Sequence, residues 1–187
     1  MKDTKEERDK LIGGWKKSAL ALIEKKFKDK KDCGGQPYIG HLTRVARRVA
    51  DEKYFSVSDN FSTLAFFYEK AYIVALLHDI IEDTDVTTLD LLNEGFDNEI
   101  VDAVDAITRR EGEQYYMDFI ERVSKNDIAH LVKICDLEDN MDITRLKVFG
   151  EYEQKRLKKY WYSWKFLKKE ITLSECYDAI HPNRLYN

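Results

Sequence analysis

The stretch Ala75–Asp85, ALLHDIIEDTD, constrains the fold of this chain more than any other. It sets four ionisable residues, His78, Asp79, Glu82 and Asp83, directly behind the apolar run Tyr72–Leu77. At about 100° per residue on a helix, these four fall within an arc of roughly 140°, and Leu76, Leu77, Ile80 and Ile81 take the opposite side. Small Ala75 enters the polar arc from the turn before and leaves room above the four for an ion or a ligand. An imidazole beside a carboxylate on an otherwise apolar helix is costly to bury unless it is hydrogen-bonded or holds a metal. Alone, the pair reads either as a core histidine neutralised by its neighbour or as half of a metal site.

The rest of the chain reads as helix. Its 187 residues hold only two prolines and eight glycines, and apolar residues recur at three-and-four spacing, so the expected fold class is all-α. That length suits one domain, placed at 1–170, with 171–187 as a C-terminal tail without a functional reading. Leu11, Trp15, Leu20, Ile23 and Phe27 mark a first helix, which KDKKDCGGQPY breaks. A second begins near His41, with Leu42, Val45, Ala46, Val49 and Ala50 as its stripe. Ser58 or Asp59 is placed to cap a helix that runs through Phe66 and Phe67 into the central stretch. Thr87 with Asp90 forms a capping box, and Asp97 caps Asn98–Thr108. Further helices are expected from about Glu113 to Val123 and from about Asp127. Near the end, EYEQKRLKKYWYSWKFLKKE interleaves basic and aromatic residues. That pattern suits a nucleic-acid surface, but Leu157, Tyr160, Trp161, Trp164 and Leu167 give it the stripe of a closing core helix.

Charged residues make up 35% and the net charge is −4, which gives no overall bias toward nucleic acid or an anionic membrane. No signal peptide or membrane span is visible in the residues, because His78 and Asp79 interrupt the longest apolar run. Cys33, Cys135 and Cys176 are odd in number, far apart and without a CxxC pair, which points to a reducing cytoplasm and away from a zinc-thiolate site. The oligomeric state stays open.

Two other segments repeat the chemistry of the centre. His41 stands at the edge of its helix stripe, with Arg44 and Arg48 on the rows outward. Asp136 and Asn140, at i and i+4, share a face with Lys133 close by, inside an apolar surround of Leu131, Ile134 and Cys135. A carboxylate buried there needs a cation. His41, His78, Asp79 and Asp136 thus offer imidazole nitrogen and carboxylate oxygen to a borderline divalent ion such as Mn²⁺, Fe²⁺ or Zn²⁺. Such an ion makes hydroxide available near neutral pH, and Glu82 and Asp83 are placed to move protons. Lys28, Lys30 and Lys31 read either as a solvated helix end or as phosphate contacts. Arg109, Arg110, Tyr115 and Tyr116 are open between ligand contact and ordinary surface in the same way.

His41, the His78-Asp79 pair and Asp136 together resemble the metal set of the HD superfamily of phosphohydrolases. More narrowly, GGQPYIGH, ALLHDIIEDTD and VKICDLEDNM are similar to the hydrolase domain of RelA/SpoT-type alarmone enzymes and their small stand-alone relatives, over about Lys28 to Leu167. The resemblance implies an HD-type helical bundle with a metal, most often Mn²⁺, between its helices. It implies a 3′-pyrophosphohydrolase that acts on (p)ppGpp to release pyrophosphate and GDP or GTP. By it, His41, His78, Asp79 and Asp136 hold the metal, Glu82 and Asp83 are the catalytic acidic pair, and Asn140 contacts the nucleoside. Lys30 and Lys31 fall near the basic loop, and no synthetase region follows Leu167. The chain departs from the pattern at Leu137, Glu138 and Asp139, where acid pointing inward would oppose a polyphosphate. Another nucleotide phosphohydrolase, such as a 5′-nucleotidase, is the alternative enzyme, and a nucleotide-binding module without turnover is the alternative outside enzymes.

Overall fold

Three helices, α2 (Tyr38–Phe55), α3 (Phe61–Leu77) and α8 (Asp127–Asn140), pack on one another most extensively and form the centre of the bundle. The computed structural model describes residues 5–55 and 61–181. Around the central three lie α1 (Lys5–Lys26), α4 (Ile80–Asp83), α5 (Thr88–Asn93), α6 (Asn98–Ile107), α7 (Tyr116–Val123), α9 (Glu151–Leu167) and α10 (Leu173–Ile180), with a single 3-10 turn at Ile143–Arg145. Apart from one isolated bridge between Lys31 and Pro37, every regular element among the described residues is helical, so the fold is all-α. None of these helices is long and apolar enough to cross a membrane.

Residues 71–77 of α3 are apolar almost all round, and a helix of that kind is stable only when covered on every side. Ala71, Ile73, Val74, Ala75, Leu76 and Leu77 are indeed fully buried, against Leu42, Val45, Ala46 and Val49 of α2 and Val132, Cys135 and Leu137 of α8. Each buried Leu or Ile contributes roughly 1.5–3 kcal/mol. The helix ends at Leu77. His78 and Asp79 form a turn, with Asp79 at φ −101° and ψ 4°, and α4 starts afresh at the fully buried Ile80. The expected single polar face is therefore divided, with His78 and Asp79 in the turn and Glu82 and Asp83 on α4.

Caps hold several ends. The Thr87–Asp90 capping box and the Asp97 cap on Ile100 N–H form as expected, and Asn126 on Ala129 and Thr172 with Glu175 do the same for α8 and α10; such caps are worth about 1 kcal/mol each. Helix α7 starts at Tyr116 rather than near Glu113. Gly112 turns the chain at φ +91°, and the Glu113 carboxylate is spent on the Arg110 N–H and the Arg122 guanidinium. The expected cap at Ser58 or Asp59 lies outside the described residues.

Two stripes differ from the sequence reading. On α1 the buried line is Trp15, Ala19, Ile23 and then Phe27, so Leu11 and Leu20 flank it and stay 48% and 39% exposed. On α9 the inward face runs through Arg156, Lys159, Tyr160, Ser163 and Leu167, which leaves Trp161 47% exposed and stacked on Trp164. Position 163, a serine, is fully buried, and its hydroxyl donates to the Lys159 carbonyl. Within 171–187, α10 buries Cys176 and Tyr177 against α7 and α9.

Candidate metal centre and cavity

The chain break after α3 aims the candidate ligands. The Nδ1–H of His78 donates to the carbonyl of Ala75 at 2.8 Å, which occupies one of the carbonyls left open at a helix C-terminus and fixes the ring. On the first turns of α2, His41 is held the same way from another direction, its Nδ1 2.7 Å from Asp139 Oδ2. Both rings therefore set Nδ1 against an oxygen and turn Nε2 inward. His41 Nε2 lies 3.2 Å from Asp136 Oδ1 and 3.7 Å from Asp79 Oδ2; His78 Nε2 lies 3.5 Å and 2.9 Å from the same two atoms. Each of His41, His78 and Asp79 offers one donor atom within 4.8 Å of the others, and Asp136 completes the expected set.

These residues fit a divalent cation. His78 Nε2 is fully buried and, although Asp79 Oδ2 is near, no acceptor lies in line with it. A buried ring nitrogen left without a partner, facing two carboxylates, is the donor set that imidazole and carboxylate sites present to a borderline divalent ion. The carboxylates are tied down as well. Asp136 accepts Lys133 Nζ at 2.8 Å and Asn140 Nδ2 at 2.6 Å, and Asp79 accepts the Tyr38 hydroxyl at 2.6 Å. Tyr38, three residues before His41, was absent from the sequence reading; its place in the PYxxH segment on the first turn of α2 is the signal that was available.

In the metal-free protein, burial by itself lowers both imidazoles, but the facing carboxylates outweigh it and raise His41, and raise His78 well above its ordinary value. Burial pushes Asp79 up while protonated His78 pulls it down to about 2, and Lys133 with both histidines holds Asp136 well below the carboxylate range. A raised imidazole stabilises the fold fully below the unfolded value of about 6.5 and loses that contribution as pH rises through the folded values. The melting temperature of the EDTA-treated protein should thus fall as pH rises above about 6.5, through the raised imidazole values. Saturating divalent metal, which needs neutral imidazole, should flatten or reverse the trend. A pH series of thermal melts with and without metal checks both.

Outward from these candidate ligands opens a cavity of about 290 Å³, walled by His41, Asp79 and Asp136 together with Tyr38, Glu82, Asp83, Asn140 and residues of α7 and α9. Glu82 and Asp83 sit side by side but in different company. Asp83 is paired with Lys30 at 2.5 Å, whereas Glu82 accepts the Arg109 backbone N–H at 3.2 Å and has no cationic side chain on it. Its place in the cleft wall and the nearby Asp79 raise its pKa, with the Arg109 amide pulling the other way.

Lys30 and Lys31 do not wall the cavity: Lys30 lies over the Tyr38 ring on its way to Asp83, and Lys31 is exposed with its backbone in the bridge to Pro37. The cations that do are Arg109, Arg145, Arg156, Lys133 and Lys159. Arg145 and Lys133 have carboxylate partners. Among the described residues Arg109, Arg156 and Lys159 have none, and burial followed by repulsion from Arg109 and Lys133 lowers the Lys159 ammonium. Of the four open residues in the 109–116 segment, Arg109 and Tyr116 reach the cavity, while Arg110 pairs with Asp105 and Tyr115 packs on Tyr177. The Tyr116 hydroxyl is buried without a partner. Sequence reasoning missed Arg145, Arg156 and Lys159.

The departures at 137–139 all turn away from the cavity. Leu137 is fully buried, Glu138 accepts the Trp164 indole N–H, and Asp139 faces His41 and two arginines.

No family model matches the chain. Over 148 residues it is 29% identical to a guanosine-3′,5′-bis(diphosphate) 3′-pyrophosphohydrolase of Aquifex aeolicus (strain VF5), a match that takes in 75% of this chain. The chain spans 19% of the length of that relative. Its fold is shared with a solved structure described as a metazoan ortholog of SpoT that hydrolyzes ppGpp and plays a role in starvation responses. There the TM-score is 0.64 at 21% identity, over 91% of this chain and 95% of the other.

Proposed function

We propose that this chain is a metal-dependent phosphohydrolase of the HD type that converts (p)ppGpp to GDP or GTP and pyrophosphate, with Mn²⁺ as the preferred ion. The observation that carries the reading is the buried Nε2 of His78, without a hydrogen-bond partner among the described residues and facing Asp79 and Asp136, which line a cavity together with the cations Arg109, Arg156 and Lys159. Similarity to the Aquifex enzyme and the order of the three motifs support it.

His41, His78, Asp79 and Asp136 would hold the ion, which when bound supplies Lewis acidity to a phosphoryl oxygen and hydroxide near neutral pH. Water oxygen attacks the phosphorus attached to O3′, the P–O3′ bond breaks, and the leaving 3′ oxygen takes up a proton. Glu82 is the residue to carry that proton, since a carboxylate without an ion-pair partner and with a raised pKa exchanges protons more readily than one bound to lysine. Asp83 with Lys30 holds the wall beside it. Asn140 donates to Asp136 and lines the cavity, where it would contact the nucleoside.

Arg109, Arg156 and Lys159 favour a substrate with a second phosphate arm, because three cations without carboxylate partners beside one cavity are relieved by an anion of several charges. That favours a bis-diphosphate over the single phosphate of a 5′-nucleotidase substrate, and acid at 138 and 139 does not stand in its way. No nucleic-acid or membrane partner enters this reading, and the free thiols of Cys33, Cys135 and Cys176 suit the reducing cytoplasm.

The test is incubation of Mn²⁺-loaded protein with ppGpp and identification of the products. GDP and pyrophosphate, abolished by EDTA, are expected; orthophosphate as the first product would sink the assignment. In the same assay Arg156→Ala should raise KM about tenfold or more through loss of a charge-assisted contact while leaving kcat within a few-fold. An unchanged KM removes the second-arm argument.

A further inference from the structure

Asp139 is the least expected residue near the metal set. It is 1% exposed, yet one imidazole and two guanidinium groups converge on its carboxylate. Its Oδ2 accepts His41 Nδ1–H at 2.7 Å, Arg44 donates Nε–H to Oδ1 at 2.8 Å and an Nη2 hydrogen to Oδ2 at 3.1 Å, and Arg145 Nη1 donates to Oδ2 as well. Arg145 extends the chain, giving one nitrogen to the Asp139 carbonyl at 2.9 Å and another to Asp32 Oδ2 at 2.5 Å in the loop that borders the cavity. Gly34 in that loop is needed for the approach, since a Cβ there would stand 2.7 Å from the Arg145 carbonyl oxygen.

We propose that Asp139 is a positioning residue of the metal centre: fixed by Arg44 and Arg145, its carboxylate holds the His41 proton on Nδ1 and leaves Nε2 free for the ion. The inference rests on the metal reading above. A carboxylate behind a histidine fixes the tautomer and ring angle and makes the other nitrogen a stronger donor, and removing such a partner lowers metal affinity 10–100-fold. The two arginines are what allow the carboxylate to stay ionised where no water reaches it; without them a buried acid would be neutral. A merely structural role for Asp139 would need the arginines but not the histidine, and the histidine makes the shortest contact for which both atoms are buried.

The experiment measures Mn²⁺ dissociation constants by titration calorimetry for wild type, Asp139→Asn and Glu138→Gln, together with ¹⁵N-detected tautomer assignment of His41 in the Zn²⁺-loaded wild type. Expected are a 10–100-fold weaker Mn²⁺ complex for Asp139→Asn, wild-type affinity for Glu138→Gln on the other side of the same turn, and a His41 protonated on Nδ1 alone. Affinity of Asp139→Asn within twofold of wild type overturns the proposal. So does a His41 that binds Zn²⁺ through Nδ1, a result that needs no variant to fold. Failure of the wild type to bind any divalent ion would overturn the metal reading itself and is distinguishable from both.

Discussion

Asp79→Ala should lose divalent-ion binding and turnover together, with activity down by about 10³-fold or more, since Lewis-acid assistance is worth several kcal/mol and each 1.36 kcal/mol is tenfold in rate. The reason is local. Asp79 Oδ2 is the oxygen nearest to His78 Nε2, at 2.9 Å, and it is fixed by the Tyr38 hydroxyl from the far side. Alanine removes both the donor and the anchor of Tyr38, while Ile80 and the packing of α3 stay in place. A metal titration and a ppGpp assay on the same preparation check it, and full activity in the variant would show that the metal set has been misassigned.

Glu82→Gln separates the chemistry from the metal. The amide keeps the size of the side chain and an oxygen for the Arg109 N–H, but it cannot take a proton. Metal affinity is expected within a few-fold of wild type, and kcat lower by about 10²–10⁴, the usual weight of a general acid or base. Turnover equal to wild type would move the proton carrier to Asp83, at the cost of breaking its 2.5 Å pair with Lys30.

Most of the fold was legible because it depends on local rules. The Thr87 and Asp97 caps, the apolar run before His78 and the buried Asp136 follow from spacing and capping chemistry alone, and the structure has each of them. The boundary at α7 was less so, since a glutamate reads as an early helical residue until its carboxylate is seen paired with Arg122. The cavity wall was the least legible. On α9 the stripe Leu157, Tyr160, Trp161, Trp164 and Leu167 turns inward at Tyr160 and Leu167, but the same inward face also carries Arg156 and Lys159, which no apolar spacing marks. An apolar stripe indicates which side of a helix avoids water; a side that faces an anion is written in residues that look solvated. The acid at 138 and 139 misled for the converse reason, because nothing in the sequence says that Arg44 and Arg145 meet behind it.

The turn at His78 also bears on what substitutions around the candidate site would cost the fold. His78 Nδ1 closes the end of α3 on the Ala75 carbonyl, so one side chain serves both as a candidate ligand and as the stop of a helix whose last turns are fully buried. Glu82, facing solvent at the cavity wall, carries no comparable structural duty. Replacing Glu82 is therefore expected to cost folding little, whereas replacing His78 removes a candidate ligand and the closure of α3 together. A histidine at this position is for that reason accounted for by architecture as well as by chemistry.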